Sequence, residues 1–277
     1  MSITLFQAPA ARVTATRPSV IALHCSGGTG GQWRRLAQTL GTGFDVIAPD
    51  LIGCGEAPSW SGMHAFSLTD EARSIVALID DLDAPVHLVG HSYGGGIALH
   101  VAKERPNAVA SMALYEPSAF HLLRQLGGAG AQAYVEITGV ARLVCRGVVT
   151  GDYRGGIARF VDYWNGPGAW SAMPVGLQNA LIRWAPMAPL DFTALIDEPT
   201  LAADYHLLDF PVLVLRGEHA PSPTRVIAEQ LPNLLPNCRT AVIEGAGHMG
   251  PITHAAKVSS LIVRHIAAIE AREALVA

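Results

Sequence analysis

The stretch PVHLVGHSYGGGIALHVAKER, from Pro85 to Arg105, decides how the rest of the chain is read. Its first part, up to Ser92, is a short apolar run that predicts a buried strand, and its second part predicts a helix. Between them Gly90, Ser92 and Gly94 spell G-x-S-x-G. Glycine and serine are common, so the pattern alone says little. Between a strand and a helix it specifies a sharp turn that lifts the serine hydroxyl above the sheet. Gly90 and Gly94 leave room for the two elements to pass where a Cβ would clash. The start of the helix also directs free N–H groups and partial positive charge at the turn. Ser92 is therefore the candidate nucleophile.

Outward from that turn, apolar runs alternate with helical patterns, the mark of a mostly parallel sheet flanked by helices. Ser19 to Ser26, Phe44 to Asp50, Val109 to Pro117, Pro211 to Glu218 and Arg239 to His248 read as further strands. Leu68, Ala72, Ile75, Val76, Ile79 and Leu82 recur at helical spacing behind Ser67 and Asp70, which resemble a capping box. Ser222 and Pro223 open a later helix, and a last one carries Val258, Leu261, Ile262, Ile266 and Ile269 on one face. From residue 118 to 205 no strand is convincing. That segment is helical, broken by Gly and Pro, and holds Trp164, Trp170 and Trp184. The expected organisation is an α/β core over 1–117 and 206–277, interrupted by a helical cap over 118–205.

Composition narrows the function. Half of the 277 residues are apolar and 15% are charged, which supports a large buried core. A net charge of -4 without a Lys/Arg run argues against nucleic acid or an anionic membrane as partner. No apolar run approaches the ~18 residues that span a bilayer. The start of the chain, MSITLFQAPAARVTATRPS, lacks the pattern of a secretory signal, so a cytoplasmic location is expected. Cys25, Cys54, Cys145 and Cys238 lie far apart and the histidines form no metal motif. Free thiols, no metal and no cofactor are the expectation. The oligomeric state is open, a homodimer included.

A serine hydroxyl needs a base. His248 lies between the last strand and the last helix, a topology that returns it to the carboxyl edge of the sheet beside Ser92. His87 and His100 fall inside predicted elements and read as packing residues; His91 reads as a wall of the turn. An oxyanion needs two backbone donors. Tyr93, directly after the nucleophile, supplies one, and the glycine-rich loop HCSGGTGG (His24 to Gly31) is placed to supply the other. That loop lacks G-x-x-x-x-G-K-[ST] and is not read as a phosphate cradle.

These residues resemble the α/β-hydrolase superfamily, in particular its cap-containing, esterase-like serine hydrolases, over roughly Ser19 to Ile269. DLIGCGEAP (Asp50 to Pro58) resembles the family's D-x-x-G-x-G-x-S-x-x-P loop, departing at Glu56 and Ala57. The oxyanion loop of relatives begins H-G; here Cys25 replaces that glycine, and the resemblance implies that Ser26 supplies the second N–H. Relatives carry the third triad member as the aspartate of G-x-x-D after the strand PVLVLRGE. Here the run is Gly217, Glu218, His219, Ala220, with alanine at the acid position. Glu116, at the end of the strand ASMALYE, stands where some members of the superfamily place the acid. Glu218 is a second candidate, and a Ser–His pair without an acid is the third reading.

The implied chemistry is hydrolysis of a small carboxylic ester or related acyl compound through an acyl-enzyme. The aromatic residues Phe160, Tyr163, Trp164, Trp170 and Trp184 point to an apolar pocket or to the core of the cap itself. Carbon–carbon bond hydrolysis and cofactor-free perhydrolysis use the same machinery. The vacant acid position keeps a non-catalytic binding protein of the same fold as a further reading.

Overall fold

The computed structural model describes residues 17–275. Six parallel strands form one sheet in the order β2-β1-β3-β4-β5-β6. They are β1 (Ser19–Leu23), β2 (Asp45–Ile47), β3 (Val86–His91), β4 (Val109–Tyr115), β5 (Val212–Gly217) and β6 (Cys238–Ile243). Alternate side chains fill two separate cores. Ile21, Leu88, Met112, Leu114, Val212 and Val214 face one side, while Val20, Ala22, Val89, Ala113, Leu213 and Leu215 face the other. Burial on both faces of β1, β3, β4 and β5 explains why these strands read as continuous apolar runs, while β2 and β6 at the sheet edges are only partly buried.

Helices cover both faces. α1 (Arg34–Leu40) and the last helix lie on one face, where Leu36 and Leu40 share a core with Val258, Ile262 and Ile266. α2 (Leu68–Asp80) and α3 (Tyr93–Glu104) lie on the other, through Ala72, Ile75, Ile79, Ile97 and Val101. The insertion between β4 and β5 is entirely helical. It comprises α4 (Phe120–Leu123), α5 (Ala129–Val149), α6 (Tyr153–Asn165), α7 (Ala169–Ala172), α8 (Val175–Trp184), α9 (Ala188–Ile196) and short 3₁₀ turns. α10 (Ser222–Leu234), α11 (Gly250–Thr253) and α12 (Ala255–Glu273) complete the fold.

The start of α2 is pinned as its sequence requires. Ser67 accepts from the Asp70 backbone N–H, and the Asp70 carboxylate accepts from the Ser67 N–H at 3.1 Å. Ser67→Ala is expected to cost ~1 kcal/mol. A urea titration should show this as a lower midpoint at unchanged slope.

Every strand ends at least one residue before the run read from the sequence, and for β4 and β6 the cause is plain. β4 stops at Tyr115 because Glu116 adopts φ 42°, a left-handed backbone outside the strand region. β6 stops at Ile243 because the chain turns there: the Ala246 N–H returns to the Ile243 carbonyl, and Gly245 sits at φ 69°.

Strand order sets the position of the site. The chain passes from β1 outward to β2, then crosses back to β3 on the other side of β1. In open parallel sheets the crevice at such a reversal, outside the carboxyl ends of the strands, is where ligands bind. The segments after β1, β3, β4, β5 and β6 all emerge at that edge.

Candidate active site

Ser92 follows β3 with φ 55° and ψ −117°. A non-glycine residue at such angles costs about 1–3 kcal/mol and persists only where its surroundings hold it. Here the Ser92 N–H donates to the Tyr115 carbonyl at 3.0 Å, and the Ser92 carbonyl accepts from the N–H groups of Gly95, Gly96 and Ser118. Close packing forces the flanking glycines: a Cβ on Gly94 would lie 2.3 Å from the Leu23 carbonyl oxygen, and one on Gly90 2.5 Å from that of Gly94.

From the buried Ser92 hydroxyl a chain of hydrogen bonds runs inward. Ser92 Oγ is 2.9 Å from His248 Nε2, and His248 Nδ1 is 2.7 Å from Glu116 Oε2. With Nδ1 donating to the carboxylate, Nε2 is left as the acceptor for the serine proton. Glu116 is fully buried, yet its charge is well met. Besides His248, the Gly217 N–H donates to Oε1 at 2.9 Å and the Thr224 hydroxyl to Oε2 at 2.8 Å. The Glu116 N–H donates to the Leu215 carbonyl, which holds its left-handed backbone in place.

The other acid candidate faces away. Glu218 is exposed and its carboxylate accepts from the Gly245 N–H, at the turn after β6. Ala220 is followed by α10, whose Thr224 reaches Glu116. So the segment that carries the acid in relatives contributes a hydrogen-bond donor to a carboxylate on the neighbouring strand.

Tyr93 directly follows the serine and Ser26 lines the same cavities, and no protein acceptor takes the N–H of either one among the described residues. The Tyr93 side chain is anchored elsewhere, its hydroxyl donating to Glu71 at 2.9 Å. Glycine is not needed at position 25, because Cys25 has no positive φ. Its N–H donates to Gln32 Oε1, and its carbonyl accepts from the Gly28 N–H and from His24 Nδ1. His24 Nε2 in turn accepts from the Leu51 N–H, and burial lowers the pKa of this neutral imidazole to about 4.

Burial also pushes the Cys25 thiol up to about 12, so almost no thiolate forms near neutral pH. Iodoacetamide at pH 8 is expected to leave Cys25 unmodified in the native protein and to alkylate it after unfolding. Mass spectrometry of the Cys25 peptide distinguishes the two.

His91 ties the site together. Its Nε2–H donates to the His248 carbonyl at 2.9 Å, and its Nδ1 accepts from the Gln32 amide at 3.1 Å. Burial, with the nearby His248, holds its pKa well below the usual range, so it stays neutral and keeps both roles. His87 and His100 bond to Ser111 and Glu270, and to Glu198 and Glu104, away from the nucleophile.

Sequence reading did not single out three contributors, Ser118, Asp191 and Thr224, and it named Trp164 only among the aromatic residues of the insertion. Trp164 stacks on the His248 ring at 4.2 Å between centroids. Ser118 Oγ lies 3.2 Å from Ser92 Oγ. Asp191 accepts from Ser26 Oγ at 2.8 Å, and Thr224 meets Glu116. Of the five aromatic residues named from the sequence, Phe160, Trp164 and Trp184 line the cavities at Ser92, where Phe120 and Phe192 join them. Trp170 is buried under Arg154, and Tyr163 packs on Trp164 with its hydroxyl on Glu136. Both readings of the tryptophans thus hold, for different residues.

No helix among the described residues is long and apolar enough to cross a membrane. Nor does any group of three or more His, Cys, Asp or Glu among them have the arrangement to hold a metal ion.

Comparison with known proteins agrees with this architecture. Lipase LipV of Mycobacterium tuberculosis is 37% identical over 100 residues, 36% of this chain and 37% of the lipase. A pimeloyl-(acyl-carrier protein) methyl ester esterase of Chromobacterium violaceum is 35% identical over 125 residues, 45% of this chain and 46% of the esterase. The matched stretch thus spans less than half of either relative. A thermophilic esterase from Thermogutta terrifontis superposes with a TM-score of 0.69 over 92% of both chains at 20% identity, a likeness of fold. The model of the α/β hydrolase fold matches residues 18–255, most of the chain. With six parallel strands in the order found here and a serine on the turn after β3, the chain belongs to the α/β-hydrolase fold family.

Proposed function

We propose that the protein is a serine hydrolase of small carboxylic esters. The observation that carries this reading is the continuous chain Ser92 Oγ–His248 Nε2, His248 Nδ1–Glu116 Oε2, at 2.9 and 2.7 Å. Ser92 attacks the ester carbonyl while His248 Nε2 takes its proton, and Glu116 holds the imidazole in the tautomer this needs and stabilises the imidazolium. The negative charge that develops on the carbonyl oxygen is met by the N–H groups of Tyr93 and Ser26. His248 then returns the proton to the leaving alcohol, and water hydrolyses the acyl-enzyme by the same steps in reverse order.

The helical insertion acts as the lid. A cavity of about 320 Å³ lies between it and the core, walled by Trp164, Leu177, Leu181, Met249 and Ile252 beside Ser92 and His248. That lining favours a substrate with an apolar portion. Alanine at position 220 favours a non-catalytic binding protein, but a carboxylate 2.7 Å from His248 Nδ1 supports the catalytic reading instead.

A fluorophosphonate probe is expected to label the native protein at Ser92, and short-chain p-nitrophenyl esters to be hydrolysed. A native protein that neither reacts with the probe nor cleaves any such ester would overturn the proposal.

A further inference from the structure

Two cavities meet at Ser92, and they differ in kind. The larger one is apolar and is lined by His248. The other is smaller, and in it Ser26, Ser92, Ser118 and Asp191 are set among a majority of apolar residues, Trp184 and Phe192 included. His248 lines only the first. Since the leaving oxygen must receive its proton from His248, the alcohol side of an ester belongs in the larger cavity. The acyl side then belongs in the smaller one.

Two polar groups of the smaller pocket, the Asp191 carboxyl and the Trp184 indole N–H, have no structural work that accounts for them. Asp191, on α9, is buried, and its one hydrogen bond among the described residues is the one accepted from Ser26 Oγ. A buried carboxyl with spare capacity is costly against an apolar ligand, because it loses water and gains nothing. The indole N–H of Trp184 is likewise buried without a partner. Burial, with Glu71 nearby adding to it, raises the Asp191 carboxyl well above the usual carboxylate range despite the Ser26 hydroxyl. Burial thus disfavours the charged form of Asp191, and a carboxyl in its neutral form can donate as well as accept. An anionic acyl group would bring an unmatched charge into the pocket.

Resting on the esterase reading above, we infer that the smaller pocket selects short acyl groups with a hydroxyl on the carbon next to the scissile carbonyl, and that Asp191 is the residue that reads this hydroxyl. The pocket's small volume, about 10 Å³, excludes long chains. The hydroxyl of a 2-hydroxyacyl group supplies both a donor and an acceptor to Asp191, where an isosteric methyl supplies neither. A site built to bond a hydroxyl discriminates strongly against the analogue that lacks it.

The test compares benzyl glycolate with benzyl propionate, whose acyl groups differ by hydroxyl against methyl, following release of benzyl alcohol. Taking the ratio of kcat/KM values and comparing it across variants cancels the intrinsic reactivity of the two esters. Asp191→Leu is expected to lower the glycolate-to-propionate ratio at least ~10-fold, the lower end for a hydroxyl-reading site. The near-isosteric Asp191→Asn, which keeps a donor and an acceptor, should retain most of the ratio. A second arm needs no turnover: in a Ser92→Ala background, tryptophan fluorescence reports binding of benzyl hydroxymethyl ketone and benzyl ethyl ketone. The hydroxymethyl ketone should bind more tightly, and Asp191→Leu should abolish the difference.

If benzyl esters are cleaved but neither ratio changes in Asp191→Leu, the inference is overturned and the esterase reading stands. If no benzyl alcohol is released while the ketones still discriminate through Asp191, the pocket assignment stands and the esterase reading falls. If there is neither turnover nor discrimination between the ketones, both are overturned.

Discussion

Replacing Ser92 with alanine is expected to lower kcat for ester hydrolysis by on the order of 10⁶, the scale seen when the nucleophile of a serine–histidine machine is removed. The geometry accounts for so large a loss. His248 Nε2 has Ser92 Oγ as its hydrogen-bonded partner, and neighbouring Ser118 Oγ, though 3.2 Å from Ser92 Oγ, shares no bond with His248. Fluorophosphonate labelling should vanish with the activity. Stability should change little, because the serine side chain is small and the backbone bonds that hold the turn survive. A Ser92→Ala protein that still takes up the probe would show that the turn is not the nucleophile's seat.

The second large effect concerns Glu116. Changing this residue to glutamine keeps the volume but replaces a carboxylate by an amide, which can present an N–H to His248 Nδ1. The imidazole is then pushed to the opposite tautomer, with its proton on Nε2 facing the serine. In a complete triad the equivalent change costs on the order of 10⁴ in kcat, and a loss of that size is expected here. Glu218→Gln is expected to leave the rate within a few-fold, since Glu218 is exposed and bonds to the Gly245 N–H. Adding Ala220→Asp to the Glu116→Gln protein returns an acid to the position used by relatives and should recover part of the lost rate. Near-normal kcat in Glu116→Gln would remove Glu116 from the mechanism.

The two acids also show why local sequence cannot choose between them. Glu116 and Glu218 both end apolar strands, and both are followed within a few residues by a helix. Which one faces His248 is set by tertiary contacts. Glu116 turns left-handed at φ 42°, held by the Leu215 carbonyl of the adjacent strand, and its carboxylate is fixed by Gly217 and Thr224 from elements about a hundred residues away. None of those partners is visible from the ASMALYEP stretch.

What the sequence by itself determined is what short-range physics dictates. The continuous apolar runs require strands buried on both faces, and the serine between Gly90 and Gly94 requires a tight strand-to-helix turn because only glycine fits where β3, α3 and β1 touch. The capping of α2 and the return of His248 to the carboxyl edge of the sheet follow from local pattern and topology in the same way. Only the tertiary structure decided which carboxylate meets the histidine, that Cys25 sits comfortably in place of a glycine, and that Asp191 comes to lie against Ser26. The last pair is 165 residues apart. Contacts of that kind are set by how the helical insertion packs over the sheet edge, and nothing in the spacing or composition of either segment encodes them.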